Sequence, residues 1–301
     1  MSVIENAIKR LQASRAGAAA LARGTAGTSG SGGAARRREL AAEGNAAAAS
    51  TRTIVINQDA LRIAGLLPPS HQERELARQF RHIKRPLINS ALGRGVERVP
   101  QGNLIMVASA VPGEGKTFTS LNLALSMRLE EDVTVLLVDG DVVNPRISRI
   151  LGVENEPGLL DVVKDPGMSP GSAILATDVP GLSFLPAGRP EANPTELLAS
   201  TRMRDVAALL GGHDATRLVL FDSAPLLLTT ESHALAHVLG QVLIVVRADQ
   251  TPQHMVLEVL QSLDERKPVS LVLNQSMKHP HAGYYYEYGS SAGPREKTSS
   301  A

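Results

Sequence analysis

The chain has no cysteine and no tryptophan. The first absence excludes disulfides and cysteine-ligated metal sites, and it fits a reducing compartment. Tyrosine is nearly absent too: all four fall between positions 284 and 288, as Tyr284, Tyr285, Tyr286 and Tyr288. Neither charge sign dominates. Lys and Arg number 31 against 30 Asp and Glu, so no global field argues for nucleic acid. No apolar run reaches the roughly 18 residues of a membrane span, and the N-terminus lacks the long apolar stretch of a secretory signal. What is present is a chain of 301 residues with 43% hydrophobic content, enough for one or two globular domains.

Composition divides it. In residues 1–12, Ser2 and Glu5 have capping-box spacing, and Val3, Ile4, Ala7, Ile8 and Leu11 recur at helical spacing. This predicts an amphipathic helix too short to be stable alone. Residues 13–52 are Ala, Gly, Ser and Arg with almost nothing bulky to bury, which predicts a disordered linker. The run Arg36, Arg37, Arg38 reads as solvated charge within it rather than as a lipid contact. Residues 53–99 predict helices. Asp59 is placed to cap a short one, and Ser70 with Glu73 forms a second capping box before "ERELARQFRHIKRPLINSAL". That helix carries Leu76, Phe80, Ile83 and Leu87 on one face, and Pro86 should kink or end it. Glu75, Arg78 and Arg81 share a charged flank.

From 100 to 280 the pattern changes. "LIMVAS", "VTVLLVD", "RLVLFD", "QVLIVV" and "SLVLN" are near-continuous aliphatic runs separated by helical stretches. Strands apolar on both faces belong to a parallel sheet covered by helices, here a doubly wound α/β domain. The first strand leads into "AVPGEGKTFTS", with four residues between Ala110 and Gly115-Lys116-Thr117. Such a P-loop needs glycines to wrap backbone N–H groups around phosphate, a Lys for the β/γ-phosphates, and a hydroxyl for Mg²⁺. Pro112, Gly113, Glu114, Gly115, Lys116, Thr117 and Phe118 are therefore candidate ATP contacts. Asp139, Asp141 and Asp222 end two buried strands, where an α/β sheet binds ligands. Hard oxygen ligands beside a Lys and phosphates suit Mg²⁺.

Taken jointly, "AVPGEGKT", "VLLVDGD" and "LVLFDSAP" resemble the Walker A, A′ and B motifs of bacterial tyrosine kinases. "LPAGRPEANPTELLAS" and the C-terminal tyrosine cluster strengthen the likeness. The segments "SVIENAIKRL", "LRIAGLLPP" and "FRHIKRPL" further resemble the exosortase-associated autokinases of exopolysaccharide clusters. The resemblance covers about 53–290. It implies a P-loop NTPase domain of the MinD/ParA-like type, with an N-terminal helical arm and a flexible C-terminal tyrosine tail. It implies ATP and Mg²⁺, with Lys116 on the β/γ-phosphates and Thr117, Asp139 and Asp222 at the metal. Asn274 would contact the adenine by analogy, a plain strand-end turn being the alternative. Glu75, Arg78 and Arg81 match the family's E-x2-R-x2-R motif, which implies a ring-like homo-oligomer. The family's A′ arginine position is Val143 here, so that role stays unassigned, Arg146 included. The implied activator is a separate inner-membrane chain-length-determinant protein. The implied location is cytoplasmic, peripheral to the inner membrane, with other protein substrates conceivable and no nucleic acid.

Phosphoryl transfer to a phenol wants a carboxylate near the attacking oxygen, because a tyrosine is mostly protonated at neutral pH. Asp139 and Asp141 both qualify. The tyrosines sit in 281–301, beside "GSSAGPREKTSSA", which cannot form a core. An exposed acceptor cluster explains them better than packing does. Ten residues separate Asn274 from Tyr284, a reach of at most about 33–36 Å, enough for its own site or a neighbour's. The competing class is a ParA/MinD-type nucleotide switch. Those proteins carry a signature Lys near the start of the loop, where this chain has Ala110-Val111-Pro112.

Overall fold

A computed structural model describes residues 53–212 and 216–276. The helix expected at 1–12, the linker at 13–52 and the tyrosines of 281–301 lie outside the described residues.

One sheet organises the rest. Its strands are β1 (Thr53–Ile54), β2 (Leu104–Ser109), β3 (Thr134–Asp139), β4 (Leu175–Thr177), β5 (Leu182–Leu185), β6 (Arg217–Asp222), β7 (Gln241–Arg247) and β8 (Val269–Asn274). Their order is β1-β4-β5-β3-β6-β2-β7-β8. Every pairing is parallel except β4 with β5. The aliphatic runs have a simple cause. Along β2, Leu104, Met106 and Ala108 feed one core while Ile105 and Val107 feed the other, so both faces are apolar. The doubly wound architecture expected from the sequence is the one observed. Among the described residues no helix is long and apolar enough to cross a membrane.

The segment 53–99 shares the second of those cores. It contains α1 (Gln58–Ile63) and α2 (Glu73–Leu92). Phe80 and Leu87 of α2 are buried against α3 (Lys116–Met127), as are Leu76 and Ile83 in part. Side chains stitch it down: Asn122 donates to the Leu66 carbonyl at 2.8 Å and Gln241 to that of Leu87 at 3.2 Å.

Three local expectations are corrected. The cap of α1 is Asn57, whose side chain accepts from the Ala60 N–H at 3.0 Å, and Asp59 sits in the first turn. No Ser70–Glu73 capping box forms, because Pro69 starts a 3₁₀ turn over Ser70–Gln72 that feeds straight into α2. Pro86 does not end α2, which continues to Leu92 and stops at Gly93, a left-handed residue (φ +70°). The buried residues Leu87, Ile88 and Ala91 beyond it supply the reason, since core packing outweighs the lost helical hydrogen bond.

The remaining helices are α4 (Arg146–Ile150), α5 (Leu159–Lys164), α6 (Pro170–Ala173), α7 (Pro194–Ala199), α8 (Thr201–Gly211), α9 (Thr230–Val238) and α10 (Gln253–Ser262). Together they cover both faces and leave the C-terminal ends of β2, β3 and β6 side by side.

Candidate active site

β2 ends at Ser109, and α3 begins at Lys116. Between them the loop turns on Gly113 (φ +83°) and Gly115 (φ +91°). At Gly115 even the conformation is not the whole constraint: a Cβ there would lie 2.1 Å from Asn274 Nδ2. The first N–H groups of α3 lack intrahelical acceptors and suit phosphate oxygens.

The loop is braced from outside. The Glu114 side chain is buried and accepts from the Val111 N–H at 2.8 Å, the Arg247 N–H at 3.4 Å and the Thr251 hydroxyl. Asn274 Nδ2 donates to the Glu114 carbonyl at 2.9 Å, and Gln275 Nε2 to the Gly113 carbonyl at 3.2 Å. Asn274, assigned to the adenine from its analogy, therefore has a structural partner in the loop itself. Glu114 stays in the loop through its backbone, but its carboxylate faces β7. Pro112 and Gly113 are exposed, and the Phe118 ring lies 6.4 Å from that of Phe80 on α2.

The carboxylates converge because β3 and β6 are paired in register, which sets Asp139 opposite Asp222. Asp139 is fully buried; its Oδ2 accepts from the Ser148 N–H at 2.8 Å and the Ser148 hydroxyl at 2.7 Å. Asp222 Oδ1 accepts from the Ser120 hydroxyl at 2.9 Å. The other oxygen of each, Asp139 Oδ1 and Asp222 Oδ2, is buried without a hydrogen-bond partner among the described residues. Asp141 lies 3.7 Å from Lys116 Nζ and accepts from the Asn144 N–H at 3.1 Å.

Burial dominates the electrostatics. It pushes Asp139 up to about 7, with the neighbouring Asp222 adding to the shift and Ser148 opposing it. It pushes Asp222 up to about 6, against the pull of Lys116 and of the Thr117 and Ser120 hydroxyls. Asp141 is also raised by burial, with Lys116 opposing. Two orphaned carboxylate oxygens beside a hydroxyl and a Lys fit a cation. Among the described residues no group of three or more His, Cys, Asp or Glu side chains could hold a metal by itself. The protein's donors thus suit a cation that takes its other ligands from phosphate and water.

Sequence reasoning missed Ser120, Ser148 and Gln275. Ser120 could have been found, being one turn past Lys116 on the site side of α3. Nothing in the sequence around Ser148 marks it. Arg146, left unassigned, donates to the Ala64 carbonyl at 2.9 Å. Glu75, Arg78 and Arg81 are exposed on α2 and are not part of this cluster.

Residues 101–183 match a family model described as ParA, NUBPL iron-transfer P-loop NTPase. The tyrosine-protein kinase YwqD of Bacillus subtilis is 29% identical over 213 residues, covering 69% of this chain and 85% of that protein. The putative tyrosine-protein kinase EpsB of Ralstonia nicotianae is 32% identical over 192 residues, 64% of this chain; the match spans only 25% of that longer protein. Among solved structures, the VpsO kinase domain superposes with a TM-score of 0.56 at 26% identity, covering 69% of this chain and 100% of that one. The kinase domain of the Escherichia coli tyrosine kinase ETK gives 0.51 at 26% identity, covering 60% and 72%. With a mostly parallel sheet, a P-loop and aspartates at the ends of β3 and β6, the chain is similar in sequence, fold and site residues to bacterial tyrosine kinases.

Proposed function

We propose that this chain is an ATP-dependent protein-tyrosine autokinase whose acceptors are Tyr284, Tyr285, Tyr286 and Tyr288. The observation that carries it is the convergence of Lys116, Thr117, Asp139, Asp141 and Asp222 at one end of the sheet, two of the carboxylates each keeping a buried oxygen unpartnered among the described residues. Lys116 and the braced loop hold the β/γ-phosphates of ATP. Thr117, Asp139 and Asp222 would hold Mg²⁺, which when bound would supply charge neutralisation at the transferring phosphoryl group.

The γ-phosphorus–oxygen bond to ADP breaks as a bond to the phenol oxygen forms, and the phenol proton needs an acceptor. Asp141 is the better candidate. Asp139 has no exposed surface and commits one oxygen to Ser148, whereas Asp141 retains some exposure and faces Lys116. Asp141→Asn should therefore lower turnover with little change in ATP affinity.

Transfer runs between chains of a homo-oligomer built through Glu75, Arg78 and Arg81, whose exposure on α2 supports an interface role. The relatives' names support the chemistry, and the motif likeness supports a role in exopolysaccharide production under a separate inner-membrane activator. That activator would keep this chain cytoplasmic at the membrane face. A mixing experiment tests transfer in trans. A Lys116→Met chain with its tyrosines intact is incubated with Mg²⁺-ATP and an active chain carrying all four Tyr→Phe substitutions. Phosphate on 284–288 of the Lys116→Met chain is the expected result; none there, when wild type labels itself, contradicts transfer between chains.

A further inference from the structure

A groove of about 540 Å³ runs between α2, α3 and the β1–α1 segment. It is lined by the apolar Ile56, Leu76, Phe80, Leu125, Leu129 and Val179, and also by the charged Glu73, Arg81 and Lys84. Leu129, on its lip, is 64% exposed, an unusual position for a leucine next to other apolar side chains. Arg62 and Arg128 also line it; the Arg62 guanidinium is taken up by Gln58, Asp59 and Glu73, whereas Arg128 Nε is buried without a hydrogen-bond partner among the described residues. Such a donor is costly to leave unmet. The groove thus lacks an apolar cover carrying a hydrogen-bond acceptor.

We infer that the groove binds residues 2–12 of the same chain. That segment has the complementary character. At 100° per residue, Val3, Ile4, Ala7, Ile8 and Leu11 form one stripe, with Glu5 on its flank. An isolated helix of this length is marginal in water, so it needs an apolar surface to persist. Glu5 supplies an acceptor for Arg128. Connectivity sets no obstacle: forty residues separate Gln12 from Thr53, and Ile56, three residues on, lines the groove itself. Docking there would cover one side of α2, the helix that also carries Glu75, Arg78 and Arg81.

The inference does not depend on kinase activity, and the absence of cysteine makes it directly testable. In the full-length chain, Ile8→Cys is paired with Leu129→Cys, or with Ala77→Cys on the opposite wall. The control is Ile8→Cys with Leu209→Cys, an exposed residue on α8. Oxidative cross-linking is followed by non-reducing gel at several dilutions. The expected result is a cross-linked monomer, formed at least tenfold faster for both groove pairs than for the control. Equal rates for groove and control pairs overturn the inference. A covalent dimer in place of the monomer also overturns it, and would make a second copy the occupant.

Discussion

At the residue scale the site is defined by what burial does to three aspartates. Asp139 is held near pKa 7 by the fold against an ordinary value of about 4. Folded, it keeps its proton to higher pH than it does unfolded. Its contribution to stability therefore falls as pH rises from about 4 to about 7, and levels off above. Asp139→Asn removes that titration. Without Mg²⁺, the Tm of Asp139→Asn relative to wild type should rise between pH 5 and pH 7 and then hold, as read by thermal denaturation across a pH series. A constant difference would contradict the burial reading. Mg²⁺-ATP should raise the wild-type Tm more than that of Asp139→Asn. Gly115 gives a second test. Gly115→Ala meets both an unfavourable φ of +91° and the amide of Asn274 2.1 Å away, so it should abolish measurable ATP binding. Adding Asn274→Ala relieves the contact but not the backbone strain and also removes a loop brace, so ATP affinity should return only in part.

Elements show which features the sequence makes legible. Four of the five long strands, β2, β3, β6 and β7, are readable because they are buried on both faces, and burial on both faces writes an unbroken aliphatic run. β1, β4 and β5 have 2, 3 and 4 residues, too short for either periodicity to register. Caps were ambiguous for a similar reason. Asn57 and Asp59 both suit a cap, and only the backbone turn chooses between them. The loop and the strand-end aspartates were legible because phosphate chemistry restricts residue type. The braces of that loop have no local signature: the Glu114 carboxylate reaches out to the Arg247 N–H of β7, and Asn274 of β8 donates to the Glu114 carbonyl. Packing decided the course of α2 past Pro86, and it yields a prediction. Leu87 is 1% exposed between α2 and α3, so Leu87→Ala should cost about 2–5 kcal/mol in denaturant unfolding. Arg78→Ala, on the exposed flank of the same helix, should stay within about 0.5 kcal/mol of wild type.

At the scale of the whole molecule, one chain carries a braced phosphate loop, an exposed charged helix flank and a tyrosine cluster that follows β8 in sequence. Gln275, immediately after β8, donates to the Gly113 carbonyl, so the chain leading to the tyrosines is fastened to the loop that would hold ATP. Reversing charge with Arg78→Glu and Arg81→Glu should shift the mass in light scattering toward the monomer and leave Tm nearly unchanged. Unaltered mass would remove α2 from the interface. Each phosphate would add about −1.5 to −2 charge close to an acidic site, so a phosphorylated sample should elute at lower mass than a dephosphorylated one. The central claim is tested most directly by incubating the full chain with Mg²⁺-ATP and mapping phosphate by intact-mass and peptide mass spectrometry, beside Lys116→Met. Several phosphates confined to Tyr284–Tyr288, and none in the Lys116→Met chain, are the expected result. No phosphotyrosine, even with an activator's cytoplasmic segment added, would contradict it and leave a nucleotide-binding P-loop protein that transfers no phosphate to its own tail.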